Sequence, residues 1–590
     1  MAQPAGLVEG QSGLPVDNPT QSYWLKEPSK TLLGHRTTAE LPRSADVVIV
    51  GSGLTGSFAA HFLNEKRPDL NVVILEAREA CWGATGRNGG HCQPAIYAAA
   101  APHIASFELR NFLFLKGLVE EHSIPCDWRS TSGVHAFYSA ELFAIARRIV
   151  DNLAERYPDL AANVAVVTKG RSGRGGDDDD ADDEGGLAGT PAYLLEGERR
   201  ELTLDGLRVP RADGAIVQWN AASLWPYKLV AFVLERLLAA NAAAGAEDGR
   251  GSFNLQTNTP VTGLSRAEAF APRRGSTGAG APPPRSVWTV HTPRGTVTAP
   301  QVLLATNGYT SHLLPQFSDL LVPTRGQVSA LKPPATPADP AGGSQPLPPL
   351  DIGHTYYIVG EPRDPFARDD YLVQRPPPAA ELVFGGGRQH ARGRGVGVWD
   401  DASVDEPVAW YLRGELSSAV DLTPRAAPPV VEPIHHHHHH HHHHHSHSHS
   451  HSHSHSHHQE KEGREDAKRA GEAGQKQDLE PTHEWTGIMG YTRDGHPWVG
   501  AVGEGLGGGP GLWVCAGYTG HGMPNAALSA KAAAVMLLGE RDGDDGEIEI
   551  DLPPEYEVSD KRVAAARRLD GVLQADEKGS LFMDFGGVRG

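Results

Sequence analysis

Asp46-Val47-Val48-Ile49-Val50 is a short β-branched run, and Gly51-Ser52-Gly53-Leu54-Thr55-Gly56 follows it without a gap. Ser57 to Asn64 then repeats its apolar residues at helical spacing, and Asn71 to Leu75 is a second β-branched run closed by Glu76. Few folds accept that order. A run that is apolar throughout predicts a parallel strand buried on both faces. Gly51 allows the tight turn out of the strand, Gly53 lets the backbone approach a pyrophosphate, and Gly56 lets helix and strand pack closely. The helix start offers free N–H groups and the positive end of its dipole to phosphates. Glu76 can accept from ribose hydroxyls and disfavours a 2′-phosphate. A Rossmann-type dinucleotide site is predicted from Gly51, Ser52, Gly53, Leu54, Thr55, Gly56 and Glu76, with Ala77 and Arg78 beside it.

Two further stretches are rich in glycine. Gly83-Ala84-Thr85-Gly86-Arg87-Asn88-Gly89-Gly90-His91 follows the second strand within a few residues. Such a loop lets backbone N–H groups reach a ligand closely. Near the other end, Gly511 to Gly517 reads as a strand entering a turn, continued by Tyr518-Thr519-Gly520-His521-Gly522-Met523. Pro524 is expected to open a helix to about Leu538, with Gly539 as its stop.

Together these signatures resemble the D-amino-acid-oxidase-type FAD oxidoreductases, which include glycine oxidase and monomeric sarcosine oxidase. Gly83 to Gly90 and Gly517 to Met523 are most similar to the γ-glutamylputrescine oxidase-like proteins. The resemblance spans roughly residues 44–545, insertions excepted. It implies bound FAD and oxidation of the C–N bond of a small-molecule amine or amino acid. Hydride would pass to flavin N5, the imine would hydrolyse, and molecular oxygen would return as hydrogen peroxide. The cofactor residues it adds are Thr85, Gly86, Arg87, Asn88, Gly89, Gly90, Val261, Ala305, Thr306 and Asn307. From the late signature it adds Gly517, Tyr518, Thr519, Gly520, His521, Gly522 and Met523. Thr259-Pro260-Val261 resembles the strand that meets adenine. Arg388, Trp485, Tyr518 and His521 are the expected catalytic residues. A carboxylate substrate wants a bidentate arginine, for which Arg325, Arg375, Arg388 and Arg493 are candidates. A polyamine wants carboxylates or aromatic faces, for which Tyr356, Tyr357, Trp485 and Tyr518 are candidates. The alternatives are a flavin amine dehydrogenase that passes electrons to a carrier, and a non-catalytic FAD- or metal-binding protein.

The implied fold is α/β, α+β overall, with a Rossmann-type FAD-binding lobe interleaved with a mixed-sheet substrate lobe. A chain of 590 residues exceeds one core, which stops growing at roughly 250–300 residues. The FAD-binding domain is expected from 44–125, 211–325 and 487–545, and the substrate domain from 126–210 and 326–486. An extended arm (1–43) and a tail (546–590) flank them. Residues 169–188, 266–286 and 434–479 are expected to be disordered insertions, since they cannot bury enough apolar surface to offset their ordering entropy. The last holds His435 to His445 unbroken, then Ser-His alternation to His458. An imidazole run without fixed spacing binds metals loosely and makes no catalytic centre, so no metal site is expected.

The net charge of -19 repels phosphate backbones, so nucleic acid is an unexpected partner. Cys81, Cys92, Cys126 and Cys515 form no C-x-x-C pair and no disulfide framework, which suits a reducing compartment. With no apolar stretch of about 18 residues and no secretory signal in view, a soluble cytoplasmic protein is expected. The oligomeric state is left open.

Overall fold

The computed structural model describes residues 6–169, 202–244, 251–268, 286–334, 348–361, 364–425, 478–539 and 552–572. A six-stranded sheet carries β1 (Val47–Val50) near its centre. β2 (Val72–Leu75) and β7 (Phe253–Gln256) extend it on one side. β11 (Gln301–Leu304), β18 (Leu512–Ala516) and β17 (Trp498–Ala501) extend it on the other. All neighbours are parallel except β17 and β18. Every residue of β1 and β2 is buried, which is why both read as unbroken Val, Ile and Leu. α1 (Leu54–Lys66) follows β1 and packs beside the helix Ala526–Leu538.

A second, nine-stranded mixed sheet lies over the first. Its path is β16 (Pro481–Thr492), β12 (Leu321–Leu331), β15 (Leu382–Gly385), β14 (Asp364–Gln374), β13 (Thr355–Glu361), β4 (Arg129–Phe137), β6 (Gly214–Ser223) and β3 (His91–Cys92). β5 (Val164–Thr168) pairs with β6 off this path. β8 (Gly263–Glu268), β9 (Ser286–Thr292) and β10 (Gly295–Ala299) form a separate three-stranded meander. The glycine-rich loop therefore leaves the first sheet at β2 and ends as β3, on the edge of the second. β16 carries the chain back, turning into β17. α2 (Pro102–His122) closes the side near the late helix. Among the described residues no helix is long and apolar enough to cross a membrane.

Several boundaries differ from the sequence expectation. β6, read as part of the FAD-binding segment 211–325, belongs to the second sheet, because its ladder pairs with β4 from Phe137 to Arg129. β3, from segment 44–125, joins the same sheet, pairing His91 and Cys92 with Ser223 and Ala222. β12 begins at Leu321, inside that FAD-binding segment. Residues 266–268 and 286, placed in an insertion, are strand, with Arg266 opposite Trp288. Leu479, placed in another, is buried. The rest of the three insertions, 170–188, 269–285 and 434–477, lies outside the described residues. Residues 552–572, placed in the tail, hold the helix Asp560–Ala566. They dock because Arg562 pairs with Asp494 and its guanidinium lies 3.8 Å from the Trp498 ring centroid.

Two local elements also differ. Val261 is not in a strand: β7 ends at Gln256, and Asn258 N–H and Thr259 N–H donate to Arg78 O and Glu76 O, curling the chain back under β2. The late helix begins at Ala526, not Pro524, because Asn525 before it leaves helical geometry at φ -122° and ψ -40°. Its end is as read: Gly539 sits in the left-handed region at φ 71°. The arm is threaded with buried aromatics. Tyr23 and Trp24 lie in the core, and Trp24 Nε1 donates to Asn88 O in the glycine-rich loop.

Candidate cofactor and substrate site

A cavity of about 240 Å³ runs from the C-terminal end of β1 and β2 to the second sheet. At one end Glu76 is fixed by three donors. Its Oε2 accepts from Ser52 N–H (3.0 Å) and Ser52 Oγ–H (2.6 Å), and its Oε1 from Arg78 N–H (3.0 Å). Ala77, Val261, Ala305, Thr306 and Tyr309 line the same end. Gly51 turns there with φ 105°, and a Cβ on it would fall 2.7 Å from Ala305 O. This is the left-handed region that glycine alone enters freely.

Next comes the start of α1. Gly53 is its N-cap and supplies no side-chain cap, so the first turn depends on outside partners. Thr85 Oγ accepts from Leu54 N–H at 3.0 Å. Gly53, Leu54, Thr55, Asn88 and Gly89 all face the cavity. The loop Gly520–Met523 faces it from the other side, tied down where Asn307 Oδ1 accepts from Gly517 N–H (3.0 Å). Tyr518 OH is bonded to Thr55 Oγ at 2.8 Å, so its ring forms a wall and its hydroxyl locks two elements together.

The far end lies against β3, β13, β14 and β16. His91 stacks on Tyr357 at 5.2 Å, and Tyr371 stands behind Tyr357. Gly487, Ile488 and Met489 form the opposite wall. Burial pushes the His91 pKa down to about 4, so its imidazole is neutral at physiological pH. His91 Nε2 is bonded to Gln93 Oε1, Gln93 Nε2 to His135 Nε2, and His135 Nδ1 to Tyr97 OH. His521 faces the same end and is ion-paired to Glu108.

Five of the expected cofactor residues do not line the cavity, and each has a packing task. A Cβ on Gly56 would fall inside the envelope of Gly51 O, one on Gly86 inside that of Cys81 O, and one on Gly517 against Thr492 and Leu321. Gly90 has φ 74° and backs onto Trp24. Thr519 bonds to Thr492 and Gly490. Two expected catalytic residues also lie behind the wall. Trp485 is fully buried and its Nε1–H donates to Arg87 O at 2.8 Å. Arg388 packs over Tyr491, 3.8 Å from Asp369. The other arginines considered for a carboxylate are engaged away from the cavity: Arg325 with Asp405, Arg375 with Asp127 and Arg493 with Asp319. Tyr356 faces a different core, donating to Leu207 O or Ile352 O.

Arg78 and Arg87 do line the cavity, but one fully buried carboxylate, Asp401, holds both guanidiniums, at 3.0 and 3.1 Å. Asp401, Glu108, Gln93 and Tyr371 were not singled out from sequence. Glu108 left a trace: it sits on the stripe Ile104, Phe112, Leu115 of α2, an acid where the helix period calls for an apolar residue. Asp401 left none, being one acid in an irregular loop.

Fold and cavity together define the class of dinucleotide-binding proteins, the cavity running from a Rossmann turn to a second sheet. The chain belongs to the family described as DAO, FAD dependent oxidoreductase, whose profile matches residues 46–536. It is similar in fold to glycine oxidase from Geobacillus kaustophilus, with 17% identity, TM-score 0.53, and coverage of 88% of this chain and 99% of that one. It is likewise similar to L-amino acid deaminase from Proteus vulgaris, with 15% identity, TM-score 0.50, and coverage of 90% and 98%. Among curated protein sequences no match was found. FAD suits the residues present. Glu76 keeps acceptor capacity beside the three donors it already has. Buried nitrogens of two cavity-lining side chains, Arg87 Nη1 and His91 Nδ1, have no partner among the described residues. Polar groups left this way are costly unless a ligand or water completes them.

Proposed function

We propose that the chain oxidises the C–N bond of a small-molecule amine or amino acid, with oxygen taking up the electron pair as hydrogen peroxide and water hydrolysing the imine. FAD, when bound, supplies at N5 the acceptor for a hydride from the carbon that bears nitrogen. The observation that carries this reading is the chamber where the cavity meets the second sheet. Tyr357 and Tyr371 give it aromatic walls, and His91 is uncharged there. Those rings exclude water and give a cationic or neutral amine a face to rest on. His91 and Gln93 offer hydrogen-bonding groups that can orient the nitrogen. The names of the two similar structures, a glycine oxidase and an L-amino acid deaminase, belong to the same broad chemistry.

The test is a peroxide-coupled screen of the FAD-loaded chain over secondary amino acids, N-methylated amino acids, polyamine conjugates and glycated amines. One class should yield peroxide and carbonyl product in equal amounts. Substrate should also bleach the visible band under nitrogen, and air should restore it within seconds. If no class bleaches the band, C–N oxidation is refuted.

A further inference from the structure

Glu108 has no part in the Rossmann turn, yet it is buried on α2 among Ile104, Ala105 and Phe112. A carboxylate is costly in such a place unless it is paired and fully hydrogen-bonded. It accepts from Ala95 N–H (2.7 Å), Asn525 Nδ2–H (2.9 Å) and His521 Nε2–H (2.9 Å). Asn525 is braced in turn, its Oδ1 accepting from Tyr556 OH at 2.8 Å. His521 cannot turn from the carboxylate without leaving Glu108 one donor short. Its other edge is open, with 32% of the side chain exposed, and it lies on the cavity wall. Glu76 and the start of α1 mark the adenosine and diphosphate end, so His521 stands at the end left for the flavin ring.

We propose that Glu108 is a positioning residue that holds His521 as an imidazolium at the flavin end, where the cation favours the negative charge FAD gains on reduction. Burial works against a charge on His521, but the adjacent carboxylate outweighs it and raises the pKa above the ordinary value. The titratable groups that face the pair from other elements are His91, Cys92, His135, His496, Tyr357 and Tyr556. Burial keeps His91 and His135 neutral at physiological pH, so neither competes for the cationic role. The inference needs FAD in the cavity but no particular substrate, so it stands apart from the amine reading.

The test is the two-electron midpoint potential of the FAD-loaded full chain, by dye equilibration near pH 7. Glu108→Gln keeps the shape and removes the charge. It should weaken the preference for reduced over oxidised FAD at least tenfold, a drop of about 30 mV for a two-electron couple. His521→Gln should lower the potential too, and adding Glu108→Gln to it should lower it no further. An unchanged potential in Glu108→Gln, or a full second drop in the double variant, overturns the proposal. If Glu108→Gln fails to hold FAD, the wild type still decides the matter. A ¹⁵N-histidine pH titration compared with His521→Gln should show the His521 ring losing its proton above the ordinary histidine value of about 6.5. A ring that loses it at or below that value overturns the proposal.

Discussion

Asp401→Ala is expected to destabilise the protein by about 3–5 kcal/mol and to leave most of it without FAD. The reason is that a single carboxylate serves two buried guanidiniums. Arg78 follows the end of β2 and Arg87 belongs to the glycine-rich loop, and Asp401, itself 0% exposed, pairs with both. Burial already pulls the Arg87 pKa down to about 10, so removing its counter-charge leaves a cation in a place that disfavours charge. The backbone shares the task. Asp401 O accepts from Thr20 N–H at 2.8 Å, Thr20 Oγ accepts from Thr486 N–H at 3.0 Å, and Arg87 Nε–H donates to Thr486 O at 2.7 Å. One loop thus ties the arm, the glycine-rich loop and β16 together behind the cavity. Chemical denaturation and the ratio of visible to ultraviolet absorbance measure both effects. Asp401→Asn, which keeps the shape and loses the charge, should fall between wild type and alanine. Wild-type stability and FAD content in Asp401→Ala would mean that the clasp does not organise the site.

Gly56→Ala is expected to abolish stable FAD binding and to cost about 1–3 kcal/mol of stability, the usual range for forced overpacking. The added methyl has nowhere to go. It would enter the envelope of Gly51 O, and Ile49 Cγ2 stands 3.3 Å away on the other side. Gly51 is held in place, because its N–H is bonded to Leu75 O at 2.8 Å. α1 must therefore lift away from β1, taking with it the N-terminus proposed to meet the diphosphate. Gly117 is the control. It lies inside α2, and a Cβ there meets nothing within 4 Å, so Gly117→Ala should stabilise by about 0.5–1 kcal/mol. The same exchange at two helical glycines should thus give opposite signs. FAD titration and thermal melting of both variants check it, and equal behaviour would contradict the packing account.

The sequence speaks clearly where structure is local. β1, the turn at Gly51 and α1 are contiguous, so the strand, the glycine spacing and the helix start could be read as one unit. Glu76 was legible for the same reason, since it ends the next strand. The αL stop at Gly539 needed only its own neighbourhood. What stayed hidden depends on partners distant in sequence. The run 214–223 looks the same whether it joins one sheet or the other, and only pairing with β4 decides. Trp485 and Arg388 lie in segments that reach the site, but side-chain direction put them behind the wall. Asp401 gains its meaning from Arg78 and Arg87, more than 300 residues earlier. Glu108 gains its meaning from His521 on the far side of the chain. Buried charge pairs are fixed by tertiary geometry, and neither composition nor periodicity encodes them.

A flavin dinucleotide is expected to lie in this cavity, with its diphosphate at the start of α1. A titration of the full chain with FAD, followed by visible absorbance after removal of free ligand, tests it most directly. Saturation at one equivalent, giving a yellow protein, is the expected result. A chain that stays colourless in excess FAD, while melting as a folded protein, would contradict it.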